Sequence, residues 1–122
     1  MIIFQWLVRF LMAHAVTDYA LQSMTVSTNK SRHAPPPPDY DPKLHGPLQT
    51  TWPYYMFGHA AVNAAGVYLF SGGNISLAVL EFGFHSVIDI LKTERVYGVH
   101  VDQALHFATK LFYAALLYWG VF

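Results

Sequence analysis

Histidine and aspartate recur four residues apart along this chain, as His14 and Asp18, His85 and Asp89, and Asp102 and His106. Residues at that spacing share one face of an α-helix. His59 stands four before Asn63, and Glu81 and Lys92 extend the stripe of His85 and Asp89 in both directions. Imidazole and carboxylate are the ligand types of a divalent metal, zinc first, with iron or manganese as alternatives. Four ligands complete one tetrahedral zinc. The seven candidates here, His14, Asp18, His59, His85, Asp89, Asp102 and His106, exceed that number and would allow two ions bridged by a carboxylate. A metal so held would lower the pKa of bound water toward neutrality and make a hydrolase. In that chemistry Asp18, Asp89 or Asp102 orients a ligating histidine or acts as base, and Lys92 stabilises developing negative charge. The alternative needs no ion: the same groups hydrogen-bond one another and fix helix register.

The elements that must position these groups are unusually apolar. In EFGFHSVIDILK, Glu81 to Lys92, the four ionisable groups fall within roughly 80° around a helix axis, and the other faces carry Phe82, Phe84, Val87, Ile88, Ile90 and Leu91. The 122 residues are 54% hydrophobic and 11% charged, against about 25% charged for an ordinary soluble domain. Lipid is the more economical solvent for such a chain, so the expected class is all-α: a four-helix transmembrane bundle forming a single integral membrane domain over residues 1–122. Seven basic and seven acidic residues cancel without forming a basic stripe, which argues against nucleic acid as a partner. The absence of cysteine removes thiolate ligands and thiol nucleophiles. The opening MIIFQWLVRFLMAHA has no basic residue before its apolar core and reads as a retained first helix rather than a cleaved leader.

Four helices of near-membrane length are expected, at about Ile2 to Met24, Trp52 to Phe70, Asn74 to Glu94 and Asp102 to Phe122. Between the first two lies a proline-rich loop at about 27–51, in which Pro35 to Pro38 favour an extended conformation and Pro42, Gly46 and Pro47 discourage a helix. It is a solvated spacer or a surface for a protein partner, and His33 and His45 within it are exposed. Ser71 to Asn74 forms a tight turn with a helix cap, Gly98 suits a helix stop, and His100 lies in the last connection. Counting along antiparallel helices places all seven metal candidates in the half of the bundle nearest the long loop, with Glu81 and Lys110 deeper and paired. Because an ionisable group facing lipid costs several kcal/mol, the stripes are expected to face one another. Lys30, Arg32, Lys43, Lys92 and Arg95 on the loop side, against Arg9 on the other, put the site toward the cytoplasm and both termini outside. Arg9 is expected to snorkel to an interface.

The run HAVTDYALQ from His14 to Gln22, followed by Asn29 and Lys30, resembles the HxxxDxxLQ and downstream lysine of a bacterial and phage membrane-protein family, domain of unknown function 3307. His59 with HAAVN, the Glu81 to Lys92 stripe and DQALH from Asp102 to His106 resemble that family's other signatures, in order along nearly the whole chain. The proline-rich insertion departs from the pattern. The resemblance implies a bacterial inner-membrane location and marks the same polar residues, without implying an activity. Three functions follow as expectations: a metal centre serving a hydrolase with a membrane-associated substrate, an oligomeric ion or proton pathway through Glu81, His85, Asp89, His106 and Lys110, or a phage-encoded membrane interaction protein with a structural polar core.

Overall fold

The computed structural model describes residues 1–36, 38–47 and 51–122, and these are all-helical. Helix α1 (Ile3–His14) runs without a break into a π-helical turn, Ala15–Ala20. Two short helices follow, α2 (Met24–Asn29) and α3 (Pro42–His45). The three long remaining helices are α4 (Trp52–Phe70), α5 (Ile75–Thr93) and α6 (Val99–Tyr118). α1 packs between α4 and α6, and α5 closes the square opposite it.

Local chemistry sets the boundaries. α4 starts with Pro53 in its first turn, where a missing N–H costs nothing. It stops at Gly72 and Gly73, both with positive φ, a region glycine enters without steric cost. Asn74 then caps α5, its Oδ1 accepting from the Leu77 amide at 3.1 Å. These two helices are therefore joined by a tight turn and lie side by side.

Several expectations change. The first long helix does not continue to Met24. It ends at Ala20, and Ser23 starts α2 by accepting from the Val26 amide. A helix does form over Pro42–His45, because Pro42 occupies its first turn and the Asp41 side chain caps it. α6 starts earlier than Asp102, so His100 is helical, and Gly98 caps its start instead of stopping α5. α5 is ended by Arg95, whose φ of 60° is left-handed. Pro37 and residues 48–50 of the expected loop lie outside the described residues.

The interior is sorted by depth. Phe10, Val67, Leu77, Tyr113 and Ala114 form an apolar cluster at the end of the bundle away from α2 and α3. The other end is filled with ionisable groups. Among the described residues thirteen buried side chains are polar or charged and ten are hydrophobic, while Phe4, Tyr54, Phe57, Leu69, Val79, Phe84 and Phe112 are exposed. The interior is thus unusually rich in ionisable groups. No helix among the described residues is long and apolar enough to cross a membrane, so the expectation of transmembrane helices finds no support in the individual elements.

The long connection is strapped to the end of α5. Arg32 reaches both carboxylate oxygens of Glu94 at 2.7 Å, and His33 Nε2 lies 3.2 Å away. The Arg32 hydrogen bond, followed by that of His33, holds the Glu94 carboxyl below its ordinary value of 4.5. A depressed pKa stabilises the strap above the ordinary value and loses that contribution as pH falls through the lowered one. The protection of the Arg32 and His33 amides, taken relative to their intrinsic exchange rates, should therefore be constant across neutral pH and fall only below 4.5. A loss of protection beginning near neutrality would remove Glu94 as the controlling group.

Candidate metal centre

The π-helical turn supplies Asp18. Turns of this kind widen the helix locally and recur at functional sites. Here the turn is held against α4 by the Thr17 hydroxyl, which donates to Asn63 Oδ1 at 2.6 Å. Gly66, one turn further along α4, makes that approach possible: a Cβ there would stand 2.7 Å from Thr17 Cγ2. Gly66→Ala should cost about 1–3 kcal/mol in thermal unfolding, as overpacking does. Adding Thr17→Ser, which removes the clashing methyl and keeps the hydroxyl, should restore most of it. A double variant no better than the single one would show that another contact limits the approach.

Beside Asp18, α4 places His59 and α5 places His85 and Asp89. Their ligating atoms converge. His59 Nε2 lies 3.0 Å from Asp18 Oδ1, 3.0 Å from His85 Nε2 and 3.3 Å from Asp89 Oδ2. His85 Nε2 lies 3.5 Å from Asp18 Oδ1 and 3.6 Å from Asp89 Oδ2. Four ligands about 2.0–2.1 Å from one ion in a tetrahedron stand roughly 3.3–3.4 Å from each other. These five separations scatter around that value. All four residues are buried, and two groups in this cluster, Asp18 with His59 and His85, and His85 with Asp89 and His106, could hold a metal ion.

The surrounding contacts orient the ligands. Glu81 Oε1 lies 3.1 Å from His85 Nδ1 and takes a hydrogen bond of 2.6 Å from Lys110 Nζ. With Nδ1–H donating to Glu81, a neutral imidazole presents the lone pair of Nε2 to the cluster. Lys30 Nζ donates to Asp89 Oδ2 and, at 2.8 Å, to Gln22 Oε1. Lys92 Nζ and Gln103 Nε2 each donate to Asp102 Oδ2 at 3.0 Å.

Comparison with protein-family models, with curated proteins and with solved structures finds no match.

His14, Asp102 and His106 complete the seven. His106 Nε2 stands 3.5 Å from Asp89 Oδ1 and 3.7 Å from Asp102 Oδ1. His14 Nε2 stands 3.6 Å from Asp18 Oδ2, and its ring centroid is 5.0 Å from that of His106. All seven thus meet in one interior. Of the loop histidines, His33 is exposed beside Glu94 and His45 is exposed near Asp41. Arg9 is exposed at the opposite end, over the Trp6 ring.

Lys30 is the residue that sequence reasoning misplaced. It was expected on the loop surface as one of the charges fixing orientation. Instead it is 4% exposed and bonded to Asp89. The reason is α2, which folds back along α4 and turns its last residues inward. The available signal was Ser23, a residue type that caps helix starts and here accepts from the Val26 amide.

Proposed function

We propose that Asp18, His59, His85 and Asp89 bind a divalent metal, zinc first, inside a membrane-embedded bundle, and that the centre serves hydrolysis of a membrane-associated substrate. The observation that carries the reading is the convergence of four buried ligand atoms from three separate elements, with His59 Nε2 and His85 Nε2 each within 3.6 Å of both carboxylates. Charge supports it as well. Glu81, Asp89 and Asp102 pair with Lys110, Lys30 and Lys92, whereas Asp18 faces only histidines. One negative charge remains to attract a cation.

Membrane embedding is supported by the distribution of polarity. Most of the ionisable residues of α4, α5 and α6 (His59, Glu81, His85, Asp89, Asp102, His106 and Lys110) are buried. Lipid would therefore meet a largely aromatic and aliphatic outer face, with Lys92 and His100 toward the helix ends and Arg9 on α1. α4, α5 and α6, with 19, 19 and 20 residues, reach about 30 Å at 1.5 Å per residue, the thickness of the hydrocarbon layer. The resemblance of the same polar residues to a bacterial and phage membrane-protein family supports an inner-membrane location.

In the hydrolytic reading the bound metal supplies an activated water. Glu81 keeps His85 oriented, and Lys92, half-exposed at the rim on Asp102, is placed to meet negative charge on a substrate. A cleft of about 160 Å³, lined by Leu21, Val26, Tyr54, Tyr55 and Val62, reaches His59 from the outside. Its apolar wall suits an amphiphile. A through-going ion pathway is less well supported, because the Phe10, Leu77 and Tyr113 cluster closes the other end.

The test is elemental analysis of protein extracted in mild detergent without chelator. About one transition-metal ion per chain or more is expected, removable by chelator together with hydrolysis of phospholipid vesicles. Protein that retains none and takes up none on titration with Zn2+ would leave only a hydrogen-bonded network.

A further inference from the structure

We propose that the interior holds a second cation subsite, built by Asp102 and His106 and sharing Asp89 with the first. The inference rests on the metal-binding reading and extends it from one ion to two.

Three observations carry it. Asp89 divides its oxygens: Oδ2 faces His59 and His85, whereas Oδ1 faces His106 Nε2 at 3.5 Å. A carboxylate that turns one oxygen to each of two nitrogen groups has the arrangement of a bridge between metals about 3.5–4 Å apart. Asp18 divides in the same way, with Oδ1 toward His59 and His85 and Oδ2 toward His14.

Second, particular atoms on the far side of Asp89 are buried without hydrogen-bond partners. His106 is fully buried, and neither of its ring nitrogens is hydrogen-bonded. The same is true of Asp102 Oδ1 and His14 Nδ1. A buried polar atom left unmade costs about 1–3 kcal/mol, and interiors keep few of them. Several in one place, with His106 Nε2 also 3.7 Å from Asp102 Oδ1, describe a coordination sphere better than a hydrogen-bonded core.

Third, Asp102 is pre-positioned for this task. Lys92 and Gln103 both donate to Oδ2, which fixes the carboxylate and leaves Oδ1 turned toward His106. Carboxylates that ligate metals are held by outer contacts of this kind. Two dications bring more positive charge than the remaining carboxylate charge cancels. Two ions held there would supply the acidification of bound water that hydrolysis needs.

The experiment uses the full chain in detergent, stripped by chelator and titrated with Mn2+, with bound ion counted by elemental analysis and the electron paramagnetic resonance spectrum recorded at saturation. About two Mn2+ per chain with an exchange-coupled spectrum are expected, the coupling reporting two ions at bridging distance. Asp102→Asn, which keeps volume, should halve the stoichiometry and leave the spectrum of an isolated ion. Wild-type protein that saturates at one Mn2+ with an uncoupled spectrum overturns the second subsite while leaving the first centre standing. Protein that binds none overturns both. The wild-type coupling decides the matter even where the variant does not fold.

Discussion

Asp89→Asn is expected to abolish metal retention and to destabilise the fold by about 3–5 kcal/mol, the cost of leaving a buried charge without its partner. The stranded charge is Lys30, which is 4% exposed and bonded to Asp89 Oδ2. Two causes act at once, and they separate. Asp89→Asn combined with Lys30→Met removes both members of the ion pair and should recover most of the stability, because an apolar side chain in place of a buried ion is often neutral or stabilising. It should recover none of the metal, since the carboxylate facing His59, His85 and His106 is still missing. Unfolding measurements and metal analysis on the same two proteins check the pair of outcomes. Metal retained by Asp89→Asn would remove this residue from the ligand set.

Lys110→Met is expected to cost a similar 3–5 kcal/mol, for the same reason, by stranding Glu81 in the interior. Both residues are 1% exposed. Lys110 donates to Glu81 Oε1 at 2.6 Å, and Glu81 Oε2 has no hydrogen bond. Glu81→Met with Lys110→Met should fold nearly as well as the parent. Because Glu81 also accepts from His85 Nδ1, the double variant loses the contact that orients a ligand, and its metal affinity should fall about 10–100-fold, as outer-contact changes do. Undiminished affinity in a folded double variant would mean that His85 is held by packing alone.

Some of this arrangement was legible in the sequence for a physical reason. Helical periodicity is rigid, so His85 with Asp89 and Asp102 with His106 had to share faces. Tight turns at Ser71–Asn74 and beyond Thr93 force antiparallel neighbours, so alternate counting gave the common depth of the polar groups and the pairing of Glu81 with Lys110. What escaped depends on contacts that periodicity does not encode. The inward turn of Lys30 requires α2 to lie back on α4. The π-helical turn at Ala15–Ala20 leaves the four-residue spacing of His14 and Asp18 unchanged while altering the backbone between them. Pro42 read as a breaker, yet in a first turn it starts a helix. Arg95 stops α5 in a left-handed conformation that non-glycine residues seldom adopt, and its side chain gives no warning of it.

The central claim is that imidazole nitrogens and carboxylate oxygens of Asp18, His59, His85 and Asp89 surround one metal position. X-ray absorption at the zinc edge, on protein loaded with one Zn2+ per chain, tests it most directly. The account predicts a four-coordinate shell of nitrogen and oxygen at about 2.0–2.1 Å, with the outer-ring scattering of histidine. A spectrum of hydrated zinc without imidazole scattering would contradict it.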